Sequence, residues 1–208
     1  METDRRGRAA CSAAPMTQPE LQALLVDLTS GEDDRAEPAS VRLANMPEQA
    51  QSSLQSMLKA ESEETRWWAL QTLAQFEQAD PSWFAPLLND PSEEIRAAAA
   101  LALWHHPAPA YAERLADMLD DPSSLVTSLA SNALIAIGPE AVPTLLSKLQ
   151  GGSPQAKIQA ARALAELRDP RAIPALMDSL ENGSAVVKHW AGQGLDNMGL
   201  GMVYFNLD

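Results

Sequence analysis

The sequence is short of cysteine, of β-branched residues and of long apolar runs. Cys11 is the only cysteine among 208 residues, which excludes an internal disulfide framework and any metal site built from several cysteines. We therefore expect a reducing, cytoplasmic environment. Alanine and leucine dominate the composition, which favours helices over strands. No run reaches the roughly 18 apolar residues of a membrane-spanning helix, so no membrane span is expected.

Positive charge is also scarce. The chain has 15 Lys and Arg against 28 Asp and Glu, which gives a formal net charge of −13. No Lys/Arg-rich run occurs after the first eight residues. Such a field repels a phosphate backbone, so nucleic acid is excluded as an expected partner. The acidity suits partners with basic patches, although it also promotes solubility by itself.

The two ends of the chain differ from its middle. Residues 1–15, METDRRGRAACSAAP, are basic and lack the apolar core of a secretory signal. We expect them to form a disordered N-terminal extension, with Cys11 as an exposed thiol. The last eight residues, GMVYFNLD at 201–208, carry a compact apolar group. We expect this group to fold back as a capping tail, or alternatively to dock into a partner.

Residues 16–200 contain a repeat of 30 or 31 residues. A mostly basic column recurs at Ala36, Arg66, Arg96, Thr127, Lys157 and Lys188. Alanine follows three residues later and leucine seven residues later in every copy: Ala39, Ala69, Ala99, Ala130, Ala160, Ala191, and Leu43, Leu73, Leu103, Leu134, Leu164, Leu195. Two apolar columns precede the basic one: Leu24, Leu54, Phe84, Leu115, Leu145, Leu176, and Leu28, Leu58, Leu88, Leu119, Leu149, Leu180. The repeats span about 16–46, 47–77, 78–107, 108–138, 139–169 and 170–200.

Each repeat has the pattern of a helix, a short break and a second helix. The breaks contain Pro, Gly, Asp and Ser, which punctuate helices, and Ser92 offers an N-cap before two glutamates. One helix pair cannot bury its apolar face alone, whereas six stacked pairs can. The sequence therefore predicts an all-α, right-handed α-solenoid. In it, the first helix of each pair forms the convex wall and the second lines the concave wall. The first repeat deviates, with Pro38 expected to interrupt its second helix and Arg42 at a small-residue position, so we interpret it as an N-terminal cap.

These columns resemble HEAT repeats of the phycobilisome-lyase type. The stretch AKIQAARALAELRDPRAIPALMDSLEN, at 156–182, is similar to that consensus, and the resemblance extends from Met16 to about Leu200. It implies the solenoid fold. It leaves the function open, because such repeats serve scaffolds, bilin lyases, an iron-dependent hydroxylase and a DNA-repair glycosylase.

The resemblance allows three enzyme classes to be compared with the residues present. The hydroxylases bind iron through His-Glu pairs, but His105, His106 and His189 are not followed by Glu, so no metal site is expected. The glycosylases need a cationic groove for DNA, which the net charge of −13 disfavours. The bilin lyases stay possible. The resemblance implies that their cysteine nucleophile belongs to the phycobiliprotein client and that they work as heterodimers of HEAT-like subunits.

The repeat also predicts which side chains line the concave face. These are the residues one, two, five and nine places after the basic column. The candidate binding residues are Trp67, Trp68, Gln71, Ala98, Leu101, Leu129, Asn132, Arg162, His189, Trp190 and Gln193. Trp68 and Trp190 are expected to be exposed anchors for a partner or ligand. The alternative is that these rings pack between repeats, over small residues such as Ala97 and Ala98.

Two further features have structural interpretations. The basic column is expected to form a ladder between repeats, in which an acid six residues earlier pairs with each base. Asp90 then pairs with Arg96, while Thr127 and Gly151 interrupt the ladder. At the end of one inner helix, Trp104 and His106 are expected to pack, and His105 to be exposed.

The leading functional hypothesis is a non-catalytic scaffold that binds a protein partner along the concave face, without a cofactor. The alternative is a bilin lyase or a lyase-like phycobilisome factor. That factor would bind a bilin, with a phycobiliprotein or a second HEAT-like subunit as partner.

Overall fold

The computed structural model describes residues 17–200, and this part of the chain contains eleven α-helices and no strand. The helices are α1 (Gln18–Leu28), α2 (Asp33–Ala44), α3 (Pro47–Met57), α4 (Glu63–Ala74), α5 (Glu93–His105), α6 (Ala112–Asp117), α7 (Ser124–Ile137), α8 (Val142–Gly151), α9 (Pro154–Leu167), α10 (Ile173–Asn182) and α11 (Ala185–Asn197). Short 3₁₀ helices lie at Pro81–Trp83, Ala85–Asn89, Pro109–Tyr111, Met118–Asp120, Gly138–Ala141 and Pro170–Ala172. The predicted all-α solenoid is confirmed. The expected N-terminal extension, 1–15, and the capping tail, 201–208, lie outside the described residues.

Two segments that contain proline differ from the structure expected for them. The first half of the third repeat is two 3₁₀ helices rather than an α-helix. Pro86 has no N–H to donate to the carbonyl group four residues earlier, and its ring crowds that carbonyl, so an α-helix through this segment is disfavoured. By contrast, α2 runs from Asp33 to Ala44 through Pro38, and the expected interruption there was wrong.

Serine N-caps give five of the second helices the same starting point. The hydroxyl of Ser92 accepts a hydrogen bond from the backbone N–H three residues later, as expected from the sequence. The same bond forms at Ser62, Ser123, Ser153 and Ser184. Because each helix begins at the same place in its repeat, equivalent positions face the same direction in successive repeats.

The four predicted columns form one continuous core. Every member of the alanine and leucine columns of the second helices is buried. The apolar columns of the first helices are buried too, except that Leu180 at the end is half-buried. The core therefore follows the repeat along the described chain, as the periodicity predicts.

Small residues let the second helices pack closely. α2 packs on α4, and the series continues through α5, α7 and α9 to α11, with more contact than between the first helices. At the sixth place after the basic column, an added Cβ on Gly194 would lie 3.0 Å from the Cα atom of Ala165. Closer packing shortens this side of the stack, so the second helices form the inner wall.

The deviation of the first repeat has a related cause. The sixth place packs against the preceding inner helix, as Thr72 shows by its 2.9 Å hydrogen bond to the Ser40 hydroxyl. No inner helix precedes α2 within residues 17–200. Arg42, at this place in α2, is therefore exposed.

One stretch, Ser124–Gly151, is apolar enough to meet the composition of a membrane span. It is divided between α7 and α8 by the 3₁₀ helix Gly138–Ala141, and it supplies core residues of both helices. At about 1.5 Å per residue, the 14 residues of α7 extend for roughly 21 Å, less than the hydrocarbon thickness of about 30 Å. We interpret the stretch as two core helices.

The ladder between repeats exists, but the predicted pairing was wrong. Arg66 contacts Asp90 of the next repeat through two hydrogen bonds of 2.8 and 2.9 Å. Arg96 contacts Asp121 in the same way, at 2.8 and 3.2 Å. Each arginine also donates to backbone carbonyl groups five and six residues earlier. The acid therefore joins two repeats, because it pairs with the base of the preceding one.

Candidate interaction surface on the inner wall

The adjacent tryptophans Trp67 and Trp68 lie near the N-terminal end of the inner wall, on α4. Their rings meet edge to face, with centroids 4.8 Å apart and planes at 85°. Trp67 is half-buried, whereas Trp68 is only 9% exposed and belongs to the core. The expected exposure of Trp68 was wrong. Ala98, at the equivalent place on α5, is buried as well.

Acidic residues surround this pair of rings. Trp67 and Trp68 line two adjoining hollows of about 360 and 450 Å³. The charged residues of these hollows are Asp33, Glu37, Glu63, Glu64 and Glu94, all exposed. We name the two tryptophans and these five acids the acidic–aromatic pocket. Its described lining contains no Lys or Arg, so its potential is negative.

Helix starts hold most of these acids in place. Asp33, Glu63, Glu64 and Glu94 lie in the first turns of α2, α4 and α5, where the helix dipole stabilises a carboxylate. A hydrogen bond from its own backbone N–H, followed by one from the Ser92 hydroxyl, lowers the pKa of Glu94 below its ordinary value. The Ser92 Oγ atom lies 2.9 Å from carboxylate oxygens of both Glu63 and Glu94. These contacts connect the acids of neighbouring repeats.

An apolar groove continues from the pocket towards the C-terminal ends of α4 and α5. This α4–α5 groove has a volume of about 440 Å³. Its lining is Leu70, Gln71, Ala74, Gln75, Phe76, Glu77, Ala98, Leu101, Ala102, His105 and His106. Gln71 and Gln75 also line one of the two hollows beside the tryptophans, so the α4–α5 groove and the acidic–aromatic pocket form one continuous surface. Leu101 and Gln71 are half-buried and present apolar and amide surface respectively.

The aromatic cluster at the end of α5 differs partly from expectation. His105 is exposed, as predicted. The Nε2 atom of His106 lies 2.9 Å from the Ala74 carbonyl oxygen, and its ring stacks on Phe84, which confirms a packing role. Trp104, expected to pack, is 40% exposed and stacks on His105. Sequence reasoning missed this surface because the same place holds no aromatic residue in the other repeats.

In the middle of the inner wall, the predicted binding residues form a polar cluster. Arg162 donates hydrogen bonds to Asn132 at 2.8 Å, to Gln159 at 3.2 Å and to Glu166 at 3.2 Å. The structure thus brings Asn132 and Arg162 together across repeats, beside the half-buried Leu129. The Arg162 guanidinium and the Asn132 amide oxygen already have partners within the chain.

The C-terminal end of the wall carries a second aromatic pair. His189 is exposed and Trp190 is half-buried, with ring centroids 5.4 Å apart. Gln193, one turn later, is exposed. Neither aromatic residue lines a hollow with Trp67 or Trp68. The predicted residues therefore belong to three separate regions of the wall, and the N-terminal region contains the hollows described above.

A hollow of about 630 Å³ lies elsewhere, between the last two repeats. The outer helices α8 and α10 supply much of its lining. It includes Lys157 and Asn182, and Asn182 occupies the place that Asp90 and Asp121 hold in the ladder. The hollow thus lies at a step of the ladder where Lys157 has no acid at the equivalent place in the next repeat.

The repeat geometry agrees with a known family. The model of the family described as "HEAT repeats" matches residues 81–149 and 130–196, together more than half of the chain. The chain is a HEAT-repeat protein. None of the curated proteins compared with this HEAT-repeat protein matches it. Its assignment to the phycobilisome-lyase type stays a prediction.

Solved structures similar to this HEAT-repeat protein include a designed armadillo repeat protein and an engineered protein. A designed armadillo repeat protein, in complex with peptide (KR)4, shares 20% identity at a TM-score of 0.54, over 86% of this chain and 99% of that chain. An engineered protein shares 20% identity at a TM-score of 0.53, over 87% of this chain and 97% of that chain. At this identity the likeness shows the fold alone.

Proposed function

We propose that this HEAT-repeat protein is a non-catalytic scaffold that binds a segment of a protein partner along its inner wall. The observation that carries the proposal is the continuous surface formed by the acidic–aromatic pocket and the α4–α5 groove. Half-exposed apolar and aromatic side chains in a concave surface are what a peptide or partner helix contacts. Repeat solenoids use such elongated concave surfaces for binding.

The polar groups of the groove also suit a peptide. Gln71, on α4 five residues after Arg66, borders the groove and one of the two hollows beside the tryptophans. A side-chain amide both donates and accepts hydrogen bonds, so it can pair with the N–H and C=O groups of a bound backbone. The designed armadillo protein with its peptide (KR)4 illustrates that a solenoid of this architecture can serve such a purpose.

The alternative is a bilin lyase or lyase-like phycobilisome factor, which would use the same wall. A bilin carries two propionate carboxylates, and the five acids of the pocket disfavour a dianion there. The combined surface of pocket and groove therefore suits a peptide better than a bilin. A titration with phycocyanobilin tests the alternative, because saturable tryptophan quenching with a shifted visible band would favour it.

The scaffold proposal predicts that a polar substitution in the groove weakens partner binding. Leu101→Gln replaces a half-buried apolar contact with a polar side chain of similar length. Val26→Gln on α1, where the side chain is 53% exposed on the outer layer, is the matched control. Affinity capture from the host, followed by mass spectrometry, identifies the partner, and titration of the purified partner measures its affinity.

We expect Leu101→Gln to weaken binding at least about tenfold, which is a loss of about 1.4 kcal/mol, while Val26→Gln binds as the unmodified protein does. Melting curves of both variants establish that they stay folded. Equal binding by the unmodified protein and Leu101→Gln would exclude the groove as the binding surface.

A further inference from the structure

We infer that the bound segment is basic and that one of its Lys or Arg side chains enters the acidic–aromatic pocket. This inference rests on the proposed function, since it names the chemistry of the partner that the inner wall binds. The ligand is a positively charged stretch of another protein chain, and its cationic group lies between the tryptophan rings and the surrounding carboxylates.

The ion pairing of the molecule supports a cation from outside the described chain. Several acids elsewhere have cationic partners within residues 17–200, among them Asp90 with Arg66, Asp121 with Arg96, Asp120 with Lys148 and Asp169 with Arg171. None of the five pocket acids forms such a pair within the same residues. Five exposed carboxylates around two adjoining hollows repel each other, and a bound cationic side chain relieves that repulsion.

The indole ring of Trp67 indicates which kind of cation the pocket binds. Among these carboxylates, Trp67 presents a half-buried indole ring, and indole is the ring that attracts a Lys or Arg cation most strongly. A guanidinium group can stack on the ring while its N–H groups reach carboxylate oxygens. The combination of ring and acids therefore selects a cation with an apolar stem, such as a lysine or arginine side chain.

The spacing of the acids argues against a metal ion. The carboxylates begin on three different helices, and no group of three or more His, Cys, Asp or Glu residues within the described chain is placed to hold a metal. A divalent ion needs several oxygen ligands within about 2.0–2.6 Å. An extended cationic side chain has no such requirement and can use acids that lie farther apart.

The α4–α5 groove can bind the residues of the peptide that flank its basic side chain. Gln71 and Gln75 line both the α4–α5 groove and one of the hollows beside the tryptophans. A peptide with its basic side chain beside Trp67 therefore continues over the apolar groove lined by Leu101 and Ala98. This arrangement predicts a basic residue next to apolar residues in the partner segment.

The test measures binding of defined peptides to the full chain. Fluorescein-labelled (Lys-Arg)4 is compared with (Glu-Lys)4 and (Ser-Gln)4 by fluorescence anisotropy at about 0.15 M salt, where exposed charges beyond about 8 Å are screened. The pocket variant is Glu64→Gln with Glu94→Gln. The control variant is Glu113→Gln with Glu181→Gln, two exposed acids on the outer helices α6 and α10. Both variants change the net charge by the same amount.

We expect saturable binding of (Lys-Arg)4 and none of the other two peptides. The pocket variant should bind at least about tenfold more weakly, and the control within about twofold. Equal weakening by both variants would show attraction by net charge alone and overturn the inference. Equal binding of (Ser-Gln)4, or no binding of (Lys-Arg)4, would overturn it too. If the peptide test fails in one of these ways, the proposed function still stands provided that Leu101→Gln weakens capture of the partner.

A further variant separates an outside partner from the chain's own N-terminal segment, which contains Arg5, Arg6 and Arg8. Substitution of these three arginines by glutamine should leave the affinity for (Lys-Arg)4 unchanged within about twofold. Binding that appears only in this variant would identify the chain's own segment as the occupant and overturn the assignment to another protein.

Discussion

At the residue scale, the two adjacent tryptophans show what a repeat pattern can and cannot predict. Neighbouring side chains on a helix differ by about 100°, so the sequence implies that Trp67 and Trp68 face different environments. It does not show which ring is buried, because the second place holds residues as different as Trp68, Ala98 and Gln159. All three are buried in the structure. The second place therefore lies at the edge of the core stripe rather than in the open wall.

Burial of Trp68 predicts a large loss of stability on truncation. Trp68→Ala removes a ring that is 9% exposed, and such core truncations cost about 3–5 kcal/mol. For a protein of this size, roughly 2–4 °C of melting temperature accompanies each kcal/mol, so we expect a fall of roughly 6–20 °C by circular dichroism.

Trp104→Ala is the matched control, because the same side chain is 40% exposed on the next inner helix. Its melting temperature should fall by less than half as much as that of Trp68→Ala. A similar melting temperature for Trp68→Ala and the unmodified protein would contradict the assignment of Trp68 to the core.

At the element scale, the helix pairs and their buried faces follow from the sequence. The columns specify both, because a buried position tolerates few residue types and so repeats visibly. The pairing of the ladder could not be predicted in the same way. Asp90 lies near Arg96 in the sequence, yet it pairs with Arg66, 24 residues away. Which arginine an aspartate contacts depends on the stacking of adjacent repeats, and one sequence does not contain that information.

The ladder predicts a dependence of stability on pH. Burial alone would raise the pKa of Asp121, but the hydrogen bonds and charge of Arg96, with the Ser123 backbone N–H, hold it below its ordinary value. The carboxylate therefore stabilises the fold above the unfolded-state pKa of about 3.9. This contribution is lost as the pH falls through the lower, folded-state pKa.

Asp121→Asn tests this contribution. At pH 7 we expect a loss of about 1–3 kcal/mol, since Arg96 loses its charged partner in a largely buried pair. The difference from the unmodified protein should shrink as the pH falls below the unfolded-state pKa of about 3.9. It should vanish once the pH has passed through the lower folded-state pKa, where the Asp121 carboxylate in the fold becomes neutral. Melting curves from pH 7 to pH 2 measure both.

The control Asp196→Asn, at an exposed position, should differ little at any pH. A difference for Asp121→Asn that stays constant with pH would exclude the ionised pair as the source of stability.

At the scale of the whole molecule, the net charge of −13 is apparent from composition, but its distribution is not. The acids of the acidic–aromatic pocket come from α2, α4 and α5. They converge because α2 packs on α4 and α4 on α5, and because Ser62 and Ser92 cap α4 and α5 at equivalent places. No single segment of sequence contains this grouping. The sequence could predict an inner wall with tryptophans, whereas the placement of acids around them required the stacked helices.

This charge distribution predicts that salt has opposite effects on folding and on binding. Screening relieves the self-repulsion of a chain far from zero net charge, and largely buried pairs such as Arg66–Asp90 are screened less than exposed charges. Raising NaCl from about 0.01 to 0.3 M, which shortens the Debye length from about 30 Å to less than 10 Å, should therefore raise the melting temperature at pH 7. The same change should weaken binding of (Lys-Arg)4.

Near the isoelectric point of about 4.6, the stabilisation by salt should disappear because the net charge is close to zero. Stabilisation of equal size at both pH values would identify a general salt effect instead of charge screening.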